Sequence, residues 1–341
     1  MSPRWKNAVY SLVLLSVIMI VWTYRQSRSE KPIKIEGETM GTTYHITYFD
    51  AKERNLKPSV DSLLVVFNQS LNTYLPNSEI TKFNEGGSRL FELPFFLPVL
   101  KRSKEITEQS AGAFDPTVMP LVNAWGFGPG KKIKPDSVKV DSIMEFVGFE
   151  KIHFNDDSLW KEDERVQLDF SAIAKGYGVD EVARLIRSKG IENLFVEIGG
   201  EISAAGKNLQ TKKSWEAGVL DPSSTYSNQS FKAYVSLSDM AMATSGNYFN
   251  YYEEDGKKFS HTIDPSTGYP IQREILSASV FAKDCMRADA WATAFMVMGH
   301  EKAIEILSKH PELDAFLIYS DTNRMATYVT KGIESQIKIN P

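Results

Sequence analysis

"SAIAKGYGVDEVARLIRSKG", residues 171–190, decides which kind of fold this chain adopts. It reads as an amphipathic helix, with Ser171 as its N-cap and Gly190 just past its C-terminus. Gly176-Tyr177-Gly178 begins like the dinucleotide fingerprint GxGxxG, but Glu181 stands where the third glycine belongs. The segment also lies inside a helix rather than at a strand-to-helix turn, so that fingerprint is rejected. No GxxxxGK[ST] loop occurs anywhere in the chain. Downstream, strands are expected near 193–198, 201–206, 214–219, 231–237, 259–263 and 277–282. Helices follow at 286–298 and 300–309, then closing strands near 314–319 and 325–330. Upstream lie a strand at 42–49, helices at 58–74, 96–109 and 136–147, and short strands near 151–155 and 165–169. Strands outnumber helices and do not alternate with them strictly, which predicts an α+β fold without internal repeats.

The 341 residues suffice for one large or two moderate domains, and 42% apolar with 24% charged residues is a globular composition. A net charge of −4, with no basic cluster interleaved with aromatics, argues against a nucleic-acid partner. Cys285 is the single cysteine, which excludes an intrachain disulfide and a thiolate metal cage. The five histidines show no zinc-binding spacing.

The N-terminus is of another character. "AVYSLVLLSVIMIVWTY", residues 8–24, is uncharged and mostly apolar, at the short end of a membrane span. Trp22 and Tyr24 suit a membrane interface. Without an A-x-A cleavage site, residues 1–24 read as an uncleaved anchor, with a cleaved signal segment as the alternative. Residues 25–38, polar and charged, read as a tether. The basic residues after the apolar run outnumber those before it, which by itself favours a cytoplasmic C-terminal side.

Three stretches carry candidate chemistry. In "LDFSAIAKG" (168–176), Asp169 ends a strand and Ser171 opens a helix, whose free amides and positive dipole end suit an anion. Lys175 adds a cation one turn in, although a plain capped helix has the same look. In "DMAMATSGNYFNYY" (239–252) and "FSHTIDPSTGYPI" (259–271), small residues let backbone approach a ligand, and His261 and Asp264 flank a strand end before a tight turn. A lone histidine there is ordinarily structural. In "MRADAWATAF" (286–295), Asp289 and Thr293 lie four apart on one helix face and suit a hard cation such as Mg²⁺. In isolation, such an aspartate is ordinarily capped or internally hydrogen-bonded. "GAFDPTVMPLVNAWGFGPG" (112–130) is rich in Gly and Pro yet too apolar for a solvent loop, so it is expected to line something.

Together, eight segments in order resemble the ApbE family, the FAD:protein FMN transferases. They are "MGTTYHITY" (40–48), "LNTYLPNSEITKFN" (71–84), "GAFDPTVMPLVNAWGFGP" (112–129) and "LDFSAIAKGYGVDEVA" (168–183), followed by "VEIGGEI" (196–202), "ATSGNYFNYY" (243–252), "SHTIDPSTGYPI" (260–271) and "ADAWATAFMVMG" (288–299). The resemblance implies a flavin transferase domain over residues 39–335, mixed α+β in two lobes with FAD bound between them. It implies transfer of FMN from FAD to a threonine or serine of an acceptor protein, with Mg²⁺ and release of AMP. It also implies FAD contacts at Met40, Tyr74, Ala113, Phe114, Asp115, Asp169, Lys175 and Ile263. Metal ligands are implied at Asp289, Thr293 and the Ala172 carbonyl, with Ala292 a further carbonyl donor. His261 matches the family's important histidine and has the chemistry of a general base. The resemblance further implies a bacterial inner-membrane protein with its catalytic domain on the periplasmic side. Hydrolysis of FAD to FMN and AMP, or FAD binding without turnover, would use the same residues.

Overall fold

The computed structural model describes residues 3–29, 31–130, 133, 135–225, 228–247, 251–254, 257–322 and 324–340. Trp22 and Tyr24, named above for a membrane interface, have side chains outside that description, as do residues 248–250 of the small-residue cluster. The first half runs α1 (Pro3–Ser29), β1 (Pro32–Thr39), β2 (Thr42–Phe49), α2 (Lys57–Leu71), α3 (Glu79–Glu85), β3 (Ser88–Leu90) and α4 (Phe96–Gln109). It continues through α5 (Met119–Trp125), α6 (Ser137–Met144), β4 (Ile152–Phe154), β5 (Ser158–Lys161) and α7 (Ala174–Ser188). Then come β6 (Leu194–Ile198), β7 (Glu201–Ala205), β8 (Trp215–Leu220), β9 (Phe231–Leu237), β10 (Met240–Gly246), β11 (Tyr251–Glu254) and β12 (Lys257–Ser260). The chain closes with β13 (Ile275–Ala282), α8 (Cys285–Met298), α9 (His300–Lys309), β14 (Asp314–Asp321), β15 (Arg324–Val329) and β16 (Ile337–Ile339).

One antiparallel sheet in the order β1-β2-β6-β7-β10-β13-β14-β15 organises the rest, which makes the fold α+β as expected. Both of its faces are covered, and the two-residue period of a strand sorts the side chains between them. Ala243, Val280, Leu317, Ile46 and Val196 enter the core beneath the helices. Their neighbours Met242, Phe281, Phe316 and Ile318 point the other way, against Val219, Ala233 and Val235 of the sheet β16-β9-β8. Each fully buried Phe or Leu contributes about 1.5–3 kcal/mol relative to exposure. This three-layer burial is what holds the site's framework rigid.

On the helical face, α7 and α8 pack closely because of Gly176. A Cβ there would meet the Cys285 carbonyl oxygen at 2.3 Å and the Asp289 Cβ at 2.7 Å. Gly178 does the same for Met40, whose Cε would lie 2.5 Å from an added Cβ. The Gly-Tyr-Gly that resembled a nucleotide motif is thus a packing device. Asp180 fixes the register of the pair, accepting the first-turn amides of Cys285 at 2.9 Å and Met286 at 2.8 Å.

Four expectations need correction. Pro32–Thr39, read as part of a tether, is the edge strand β1, paired along its length with β2. Its alternation rests on Ile33 and Ile35 alone, too little apolar signal to stand out among charges. Residues 165–169 form no strand, because the Asn84 side chain bonds both the Leu168 amide (2.7 Å) and its carbonyl (2.9 Å). Nearby, Lys161 Nζ staples the loop through the carbonyls of Phe83, Asn84 and Val166, and burial pulls its pKa down to about 8. Ser171 does not cap α7. Its amide and hydroxyl both bond the Asp169 carboxylate, and the helix begins three residues later behind Ile173, which offers no side-chain cap. The ordered fold also runs past residue 335, since β16 pairs with β9.

Among the described residues, no helix is long and apolar enough to cross a membrane. Along α1, Leu12, Leu14, Ile18, Met19 and Ile20 are nonetheless all more than half exposed.

Candidate active site

All twelve residues singled out above for FAD, metal or catalysis line one cleft of about 1140 Å³. That volume lies above the roughly 300–1,000 Å³ usual for small-molecule sites, as a dinucleotide requires. Ala292, the further carbonyl donor, is fully buried in α8 behind the wall.

The walls are built from turns at strand ends. Met40 and Gly41 join β1 to β2 with φ +50° and +72°, the pattern of a two-residue hairpin in which both positions are left-handed. A methionine tolerates this poorly, so the outlier marks a site where position outweighs strain. Tyr74 stands at the mouth, 63% exposed, its hydroxyl donating to the Phe127 carbonyl at 3.1 Å. Asp115 accepts from the Thr117 amide (2.8 Å), the Thr117 hydroxyl (2.7 Å) and the Phe149 amide (3.0 Å), fixing the Gly- and Pro-rich segment. Burial raises the Asp115 carboxyl above its ordinary range despite these donors. The Asp169 carboxyl is raised by burial too. His261 follows β12 directly and is half-buried, and Ile263 bridges to Pro270 across the following turn.

The floor holds the charged groups. Asp289, 3% exposed, accepts the Gly176 amide at 2.9 Å through Oδ2, one of the first-turn N–H groups that α7 cannot satisfy itself. Thr293, one turn on, shares a 3.1 Å hydrogen bond with Ser245 of β10. Lys175 pairs with Glu201, a residue the sequence reading passed over. Glu201 is 3% exposed and opens β7 after the two-residue turn Gly199-Gly200, whose φ values are +60° and +99°. Burial acts most strongly on all three. It raises the carboxyls of Asp289 and Glu201, while in Lys175 the attraction of Glu201 and Asp289 outweighs it and lifts the ammonium above its ordinary value. Two buried carboxylates thus face one ammonium.

That arrangement fits a hard divalent cation. Its donors are oxygens, two carboxyl groups share the site with one ammonium, and among the described residues Glu201 Oε2 is buried without a hydrogen-bond partner. Among the described residues no group of three His, Cys, Asp or Glu side chains is placed to hold a metal. Hydroxyls, backbone carbonyls and substrate oxygens must therefore complete the coordination.

The ApbE family model matches residues 40–317. An FAD:protein FMN transferase of Haemophilus influenzae is 36% identical over 92% of this chain and 94% of its own. Another, from Vibrio cholerae, is 38% identical over 89% and 90%. Among solved structures, the flavin transferase ApbE from Vibrio cholerae superposes with a TM-score of 0.81 at 34% identity, covering 90% of this chain and 99% of that one. The apo form of the Pseudomonas stutzeri flavinyl transferase ApbE gives 0.78 at 30%, covering 90% and 96%. The family match thus takes in every residue that lines the cleft, from Met40 to Val297, and the chain belongs to the ApbE family.

Proposed function

We propose that this transferase moves FMN from FAD onto a threonine or serine hydroxyl of an acceptor protein. The acceptor oxygen attacks the FMN phosphorus, the pyrophosphate P–O bond breaks, and AMP leaves. The observation that carries the reading is the convergence of His261, Lys175, Asp289 and Thr293 on one cleft large enough for FAD. Relatives that align along most of the chain carry the name FAD:protein FMN transferase.

Each residue then has a role that its position supports. Tyr74, exposed at the mouth, stacks on a planar ring, and Asp115 accepts from a ring N–H. Met40, Ala113, Phe114, Asp169 and Ile263 shape the walls around FAD. Lys175 attracts its phosphates. His261 takes the proton of the acceptor hydroxyl. Asp289, Thr293 and the Ala172 carbonyl hold Mg²⁺, with the Ala292 carbonyl in support. When bound, Mg²⁺ neutralises charge on the pyrophosphate oxygens.

The test is to coexpress a candidate acceptor with and without this protein and to weigh the acceptor. One FMN added on Thr or Ser, only when this protein is present, is the expected result. Free FMN from FAD and Mg²⁺ with no acceptor modified would instead make the protein a pyrophosphatase. Intact FAD and unmodified acceptor would leave only binding.

We further propose that residues 8–24 attach the enzyme to the bacterial inner membrane, with the catalytic domain on the periplasmic side. The exposed apolar side chains of α1 support attachment. Because β1 starts at Pro32, removing residues 1–30 leaves the sheet intact. The truncated protein should stay in the supernatant after membranes are sedimented, folded and active on a soluble acceptor. Insolubility or loss of activity would make the segment part of the fold.

A further inference from the structure

Glu201 is held on the cleft wall by the Gly199-Gly200 turn, and its two carboxylate oxygens differ sharply. Oε1 receives the Lys175 ammonium, whereas Oε2 is buried with no hydrogen-bond partner among the described residues. A charged acceptor removed from water and left unpaired is destabilising, so such an atom in a ligand cleft marks a donor that arrives with the ligand. The nature of that donor follows from the surroundings. Two carboxyl groups, Asp289 and Glu201, share this end of the cleft with the single ammonium of Lys175, a set of oxygen donors that suits an added cation rather than an added anion. The nearby hydroxyls of Thr293 and Ser245 are hard oxygen donors. A hard divalent cation bound there keeps several of its waters, and those waters are strong donors.

We propose that Glu201 Oε2 accepts a hydrogen bond from a water on the divalent cation held by Asp289 and Thr293, which makes Glu201 the positioning residue that ties the cation to Lys175. This rests on the metal reading above. Glu201 thus bridges the two charged parts of the site. Oε1 fixes the ammonium that faces the phosphates, and Oε2 orients the hydration of the cation beside it.

Calorimetric titration of the full-length, FAD-free protein with Mg²⁺ alone, and with Mn²⁺ alone, tests this on the parent, Glu201→Gln, Glu201→Asp and Asp289→Ala. Glu201→Gln should weaken cation binding by roughly 10–100-fold, the usual cost of losing an outer-shell partner. Its melting temperature without cation should stay near the parent's, since Asp289 still opposes Lys175. Glu201→Asp, which restores the charge, should recover part of the affinity. If Glu201→Gln does not fold, the Lys175→Met/Glu201→Gln pair removes both charges, keeps the parent's balance of charge through Asp289, and should still bind the cation more weakly than the parent, with parent-like affinity overturning the role of Glu201. Cation binding that is lost in Asp289→Ala but unchanged in Glu201→Gln overturns the role of Glu201 alone. Equal losses of affinity and melting temperature in both Glu201 variants make it a structural residue and also overturn the proposal. A parent protein that binds neither cation, whether FAD-free or with FAD present, overturns the metal reading, and this inference falls with it.

Discussion

Asp289→Ala should abolish FMN transfer while the protein stays folded. The carboxylate belongs to the buried face of α8 and, among the described residues, has one hydrogen-bond partner, the Gly176 amide. Removing it leaves that amide without an acceptor, a cost of about 1–3 kcal/mol. A three-layer core of this size absorbs such a loss. The effect on the cation is larger. With Asp289 gone, Glu201 is left to neutralise Lys175, and the surplus negative charge that favours a divalent ion disappears. A bound metal supplies several kcal/mol of transition-state stabilisation in phosphoryl chemistry, which amounts to about three decades of rate. Asp289→Asn separates charge from hydrogen bonding, because its amide oxygen still accepts from Gly176. It should fail as badly as alanine in transfer and melt closer to the parent. Rates measured across a Mg²⁺ titration decide the matter. Parent-like activity of Asp289→Ala at limiting Mg²⁺ would remove this residue from the metal site.

The spacing of Asp289 and Thr293 puts both on one helix face, and both line the cleft, but spacing alone did not settle a role for the pair, which the family resemblance supplied. Helices α7 and α8 were legible, since their periodicity and end signals bracket them to within a few residues. What stayed hidden depends on long-range partners. Ser171 has the sequence of an N-cap, but Asp169 two residues earlier takes its hydroxyl, and no local rule ranks the two bonds. Strand β10 lacks alternation because it is buried on both faces, so Ala241, Met242 and Ala243 read as a run of small apolar residues. Glu201 was missed for a related reason. An acid after two glycines looks like a solvent turn, and only the pairing of β6 with β7 carries it inward to Lys175. One signal was available: a carboxylate that starts a strand whose other residues, Ile202, Ala204 and Ala205, are apolar or small.

His261→Ala should lower transfer by roughly 10²–10⁴-fold, the usual contribution of a general base. The side chain is half-buried on the cleft wall, at the end of β12 and two residues before the bridge between Ile263 and Pro270. The competing role is to hold the "DPSTG" turn, which has hydrogen bonds of its own. Asp264 accepts the Ser266 amide at 2.9 Å and hydroxyl at 2.6 Å, its own amide donates to the Tyr269 carbonyl at 2.9 Å, and its carbonyl accepts from Gly268 at 2.8 Å. With the turn closed by Asp264, loss of the imidazole should leave melting temperature and FAD affinity near those of the parent. The missing interaction belongs to the transition state, so kcat falls while substrate binding persists. The pH profile gives the sign independently. A base must be neutral to accept a proton, so the parent rate should fall on the acid side, and removing the imidazole should leave only the part of that limb that the buried carboxyls of Asp289 and Glu201 contribute. FAD binding, melting temperature and pH profile measured on one preparation separate the two roles. A well-folded, FAD-saturated His261→Ala protein with a parent-like kcat and an unchanged pH profile would remove histidine from the mechanism. Joint loss of stability and FAD affinity would return it to the turn.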